Sequence, residues 1–282
     1  MLHFVGITRL KKKRLGGQSF PNGVLIKSKR NWALATDDGY VRFGSSSSWL
    51  DHHPVFNVVF LRAIITFFES IVFSFRIQRD VSHDGGRVFL SPLLLYLNIT
   101  IVLTLLLIDP NAPTPWITHV FLQLTSFATA FFLFSRALPK EIWSYHGAEH
   151  KTIHAYEQGI DLDNLGAIAD CSRVHNRCGT NLVTFFITAS LLRVPSGAQL
   201  MQIVGTIGYT LLYVSVSIEL FRLVVSAPEF AFSRLLLAPG RLLQKLLTTR
   251  EPSRDQLAIA AKATKTVLAL DAMRVDDIKD SA

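Results

Sequence analysis

Four stretches without a formal charge constrain this chain more than anything else in it. Residues 88–108, 110–135 and 194–218 contain no Asp, Glu, Lys or Arg, and the shorter run 178–192 is likewise uncharged. A helix of roughly 20 apolar residues spans the ~30 Å hydrocarbon core of a bilayer, where a backbone must satisfy its own hydrogen bonds. Composition points the same way. The 282 residues are 49% hydrophobic and only 18% charged, where soluble domains carry about a quarter. The sequence therefore predicts an all-α, polytopic helical membrane protein with four or five membrane helices and a small N-terminal β-hairpin region. Run 178–192 is short for a span and would be bounded at the interfaces by Thr180, Asn181 and Arg193, or re-enter.

A fifth apolar stretch, 55–75, carries Arg62 and Glu69, with Arg76 following at the same spacing. That spacing makes one polar seam on an apolar helix. Charges at mid-membrane are costly, which favours an amphipathic helix lying in the interface over a fifth span. Lysine and arginine placement agrees: they crowd before residue 55, in the connection 136–177 and beyond 233, and are nearly missing from the turns at 109–115 and 193–197. Four crossings then put both termini and the central connection on the cytoplasmic side of an inner membrane or its organellar equivalent. The expected organisation is a basic N-terminal region with hairpin over 1–50, a membrane domain over 51–232 with a cytoplasmic connection at 136–180, and cytoplasmic amphipathic helices over 233–282.

Smaller features fit. A formal charge of +8 suits anionic membrane lipids and calls for no nucleic-acid partner. Two cysteines do not make a secreted disulfide framework, and Lys11-Lys12-Lys13-Arg14 lacks the apolar region of a signal peptide. The segments Asn31 to Thr36 and Tyr40 to Phe43, around Asp37-Asp38-Gly39, read as a hairpin, followed by a serine linker at 45–48. Ser253 with Gln256 is a capping box opening a helix toward Leu270.

The chemistry is concentrated after the third of these apolar stretches. His146 and His150 are four residues apart, so a helix projects both from one face, with Glu149 beside them. His-x-x-Glu-His is the inverted form of the zinc-hydrolase helix, in which glutamate serves as the base. Glu157 returns to nearly the same face and His154 lies at its edge. Further on, His175 and Cys178 stand three apart, placed to complete a site begun by the two helix histidines. The plain alternatives are a solvated helix with ion pairs, Cys178 as a small core residue, and Arg177 as an interfacial cation. Four of nine histidines within thirty residues favour a metal.

Three motifs, Tyr145-His146-Gly147-Ala148-Glu149-His150-Lys151-Thr152-Ile153, Tyr156-Glu157 and His175-Asn176-Arg177-Cys178-Gly179-Thr180, together resemble the YqhQ-like family of predicted metal-dependent membrane enzymes. Gly16-Gly17-Gln18 with Gly23-Val24, and Pro239-Gly240 through Leu247-Thr248-Thr249-Arg250-Glu251-Pro252 to Asp255-Gln256, resemble its terminal signatures. The chain departs from the family pattern at Asn22, where an acid precedes the glycine, and at Ile218-Glu219, where a Tyr-Glu pair is usual. Glu219 either faces the central site or pairs with Arg222.

Two functional classes follow. One is a metal-dependent membrane hydrolase with Glu149 as general base and a divalent ion on His146 and His150, the further ligand drawn from Glu157, His175 or Cys178. Zinc suits this mixed donor set best, manganese or iron if the third ligand is Glu157, and the setting suggests a lipid-linked or membrane-protein substrate. The other is a non-catalytic metal-binding membrane scaffold or envelope-assembly factor. A carrier is disfavoured, because the long uncharged runs offer only His119 at mid-membrane.

Overall fold

A computed structural model describes residues 13–81, 115–182, 185 and 199–279. Strands β1 (Gly16–Phe20), β2 (Gly23–Lys27), β3 (Asn31–Thr36) and β4 (Val41–Ser45) come first. Helices α1 (Trp49–His52), α2 (Leu61–Val81), α3 (Trp116–Ala137), α4 (Lys140–Gln158) and α5 (Leu165–Ala169) follow, then α6 (Gln199–Ser226), α7 (Ala231–Leu243), a π-helical turn at Gln244–Thr248, and α8 (Arg254–Lys279). Two compact units emerge and cut across the serial division expected from sequence. The first joins Met1–Ser47, Lys140–His175 and Thr249–Ala282; the second joins Ser48–Pro139 and Asn176–Thr248.

The first unit is built on a four-stranded antiparallel sheet of order β1-β2-β3-β4, as short connections between strands dictate. Gly39 turns β3 into β4 with φ of 85°, a left-handed conformation that glycine adopts without a Cβ clash. Register pairs Val24 with Ala35 and Ile26 with Ala33, and all four are sealed from solvent with Ala260, Ala263 and Val267 of α8. Alanines on the helix let it lie close to the sheet. Leu25 and Leu34, paired on the opposite face, are buried as well. Asp271 of α8 ties the strands down: its carboxylate accepts from Asn31 Nδ2 at 2.6 Å and Ser28 Oγ at 3.0 Å, and meets Lys13 Nζ at 3.2 Å. The capping box forms as expected, with Ser253 and Gln256 exchanging bonds of 3.0 and 3.2 Å.

In the second unit α2 lies along α6, pinned by Arg62, whose Nε and Nη2 donate to the two carboxylate oxygens of Glu219 at 2.7 and 2.6 Å. Arg222 stands farther from Glu219, at 3.8 Å. Glu69 receives the Ser48 hydroxyl at 2.8 Å and the Trp49 N–H at the start of α1. Phe185, Val224 and Leu237 form a small core with Leu220, Phe221 and Leu236 packed on it.

The fork from Arg62, more than anything else, holds the Glu219 carboxyl below the usual range. A carboxyl whose pKa is lowered by folding contributes stability above its unfolded value near ~4.3, and loses it as pH falls through the folded value. Glu219→Gln should therefore cost about 1–3 kcal/mol at pH 7, with the gap to wild type closing in acid. Urea unfolding at a series of pH values reads this; a gap that stays constant from neutral pH into acid would refute it.

The all-α, polytopic membrane architecture is corrected: the chain is mixed α/β, with a four-stranded sheet where only a hairpin was expected. Among the described residues no single helix is long and apolar enough to cross a membrane. Leu211–Ser226 and Ala231–Thr248 reach that length and composition only as a pair, bent by 116°. In run 110–135, uncharged is not the same as apolar. The run 110–135 opens with Pro110, Pro113 and Pro115, so α3 starts only at Trp116, and it carries Thr118, His119, Gln123, Thr125 and Ser126. The runs at 88–108 and most of 178–192 lie outside the described residues, as do the turns around Asn111 and Pro195. The helix expected at 55–75 is present with shifted bounds, as α2 after a 3-10 turn at Pro54–Phe56.

Candidate metal centre

Helix α4 begins after Pro139 with Glu141 in its first turn, favourable to the helix dipole. His146, His150 and His154 recur every fourth residue along it. The His146 and His150 rings stand 4.3 Å apart, centroid to centroid. His175 arrives from the segment after α5 and sits opposite the same stripe, 4.6 Å from the His154 ring and 5.7 Å from His150. Its Nε2 lies 3.3 Å from Glu157 Oε2. One ligand atom from each of His154, Glu157 and His175 falls within 4.8 Å of the others.

The loop carrying His175 is held by the helix it faces. His150 Nδ1 meets the Arg173 carbonyl at 2.7 Å, and His154 Nε2 meets the Val174 carbonyl at 3.0 Å. A carbonyl can only accept, so in each neutral ring that nitrogen bears the proton and the other keeps its lone pair. Backbone carbonyls orient metal-ligating histidines in this way. Lys151, buried, donates to the Ala169 carbonyl at 2.6 Å and pairs with Glu251 at 3.0 Å. Arg173 reaches the same Glu251 at 3.1 Å and the Thr249 carbonyl. Both cations thus fasten the loop to the segment before α8.

Placement of the expected site residues is uneven. His146, His150, Glu157 and His175 share one unit and one face, whereas Cys178 belongs to the second unit, with its sulfur 3.4 Å from the Thr180 N–H and hydroxyl. Glu149 is buried and points to β1: a Cβ on Gly17 would stand 2.8 Å from its carboxyl carbon. Glycine at 17 leaves the volume into which that carboxylate fits. His154 was visible in sequence at the edge of the stripe, but its fourfold step from His150 is what brings it against His175. Lys151, Arg173 and Glu251 were missed, because nothing local signals a clamp between residues so far apart in sequence. Burial, aided by Asp37 and Asp255, pushes the Tyr145 phenol up to about 12, so it stays protonated near neutrality. Burial likewise raises the Cys171 thiol, which suits a core residue rather than a nucleophile.

The donor set suits a divalent metal. Two imidazoles and a carboxylate around one point match catalytic zinc, and they equally match the facial triad of non-haem iron.

Fold and site together define a mixed α/β protein with a histidine–carboxylate cluster on one helix face. The chain belongs to the DUF1385 family, described as proteins of unknown function, whose sequence model matches residues 58–270. The uncharacterized protein YqhQ of Bacillus subtilis (strain 168) is 26% identical, over 94% of this chain and 96% of its own. No solved structure matches.

Proposed function

We propose that this protein is a metal-dependent hydrolase whose divalent ion, of the zinc class, is held by His154, Glu157 and His175. The observation that carries the reading is the convergence of those three ligand atoms within 4.8 Å, with the His154 tautomer set by the Val174 carbonyl. His146 and His150 line the next turns of the stripe, within reach of a substrate oxygen or a further ligand position. An ion bound there would polarise a carbonyl or phosphoryl group and acidify water. Glu149, one residue before His150, is the proton acceptor in this reading, and Gly17 gives its carboxylate room to stay in place. Lys151 and Arg173 hold the His175 loop in register through Glu251.

A second reading, a metal-loaded scaffold without turnover, draws on one observation: Glu149 is buried against a strand, a position that packing alone also explains.

Metal analysis of the purified chain tests the shared core of both readings. Wild type should carry near-stoichiometric metal, while His154→Ala and His175→Ala should each weaken binding by about 100-fold or more. Equal metal content in all three proteins would overturn the site.

A further inference from the structure

The burial pattern of α7 and the π turn behind it is inverted relative to a helix on the surface of a water-soluble core. Its inward stripe is Ser233, Leu237, Gly240, Gln244 and Thr248, all buried, and only one of them is a large hydrophobe. Close approach explains that choice. A Cβ on Gly240 would overlap Asn181, and Thr248 Oγ1 sits 3.3 Å from Thr180 Oγ1. The outward stripe is Phe232, Leu235, Leu242 and Leu246, between 55% and 68% exposed. Beside it runs a third stripe, Arg234, Arg241 and Lys245, also exposed. No acidic residue occurs anywhere from Ala231 to Thr248. In the second unit this is one instance of a wider bias: among the described residues, only Tyr40, Phe43 and Met273 of the exposed large hydrophobics lie outside it.

An apolar face flanked by cations on a single helix is the pattern of a segment that lies in the headgroup layer of a bilayer. A second copy of the same face is a poor occupant, since it would set three cations against three cations with no carboxylate between them. We infer that α7 and its π turn form an interfacial docking surface for an anionic lipid bilayer, with Leu235, Leu242 and Leu246 entering the acyl boundary and Arg234, Arg241 and Lys245 meeting lipid phosphates. The helix lies along the surface in this arrangement and does not cross it. The inference is independent of the proposed metal chemistry.

Co-sedimentation of the full chain with phosphatidylcholine vesicles, with and without about one third phosphatidylglycerol, provides the test. Wild type should bind the anionic vesicles and bind the neutral ones far more weakly. Leu235→Gln with Leu242→Gln should lower partitioning at least about tenfold. Replacing Arg234, Arg241 and Lys245 by glutamine should lower it by about fivefold per cation on anionic vesicles only, and raising salt should mimic that loss. Because all five positions are exposed, both variants should melt at the wild-type temperature. Unchanged binding in either variant would overturn the inference, and so would equal binding to neutral vesicles. A dimer seen by sedimentation velocity in wild type and lost in the leucine variant would assign the face to a second copy instead.

Discussion

Gly147→Ala should be the most destabilising single-methyl change in the first unit. Helix propensity alone says the opposite, because alanine in a helix interior is favoured over glycine by about 1 kcal/mol. Gly147 lies in the middle of α4, where the segment leading into α8 crosses it: Arg250 donates its N–H to the Trp143 carbonyl at 2.9 Å. A Cβ at 147 would overlap the Arg250 carbonyl oxygen and come within 3.5 Å of Pro252 Cδ. The obstacle is backbone, so it cannot be relieved by a rotamer change. Either α4 or the 249–252 segment has to move, and that segment also bears Glu251, the common partner of Lys151 and Arg173. Overpacking of this kind costs about 3 kcal/mol, or on the order of 10 °C in melting temperature for a chain of this size. Gly166→Ala, whose Cβ would make only an ordinary 3.5 Å contact with Asn164, is the control and should be near neutral. A Gly147→Ala protein as stable as wild type would show that the crossing is looser than described.

Glu149→Gln should leave the protein folded and metal-loaded but without turnover. Glutamine has the shape of glutamate, so it occupies the space beside Gly17 without disturbing β1, and it cannot take up a proton. Loss of a general base typically costs 10²–10⁴-fold in rate, well beyond any effect expected from packing. The measurements are metal content, melting temperature, hydrolysis of ester, amide and phosphodiester panels, and complementation of a deletion strain. Retained metal with lost turnover supports the hydrolase. Retained metal with full complementation supports the scaffold. Metal lost as completely as in His175→Ala would make Glu149 a ligand or the support of one, and the assignment of the base would fall.

The site was more legible than the fold. Histidines stepping by four along one stretch can only share a helix face, so the stripe from His146 to Glu157 followed from the helical period alone. His175 was within reach because it stood close in sequence. The sheet was half seen: Asp37-Asp38-Gly39 marked the β3–β4 turn, but β1 begins Gly16-Gly17, poor strand formers, and Gly17 is explained only by Glu149 and Leu25, which lie elsewhere in the chain. Glu219 shows the same limit. Arg222 was the neighbour visible in sequence, while Arg62, 157 residues away, makes the fork. Counting charges read run 110–135 as a membrane span, although Pro110, Pro113 and Pro115 delay α3 to Trp116 and hydroxyl and amide side chains interrupt its apolar residues.

The interleaving of the first unit bears on how the chain comes to fold. Its sheet is complete by Ser45, yet the helix that covers Val24, Ile26, Ala33 and Ala35 starts at Arg254, some two hundred residues later. During synthesis at about 5–20 residues per second, that apolar sheet face waits ten seconds or more, on the order of the translation time, for its cover. Contacts of such sequence separation are slow to close, and an uncovered strand face invites pairing with other chains. Until α8 has left the ribosome, α4, whose Tyr145, Ala148 and Ile153 share this core, is the element of the first unit available to shield the meander.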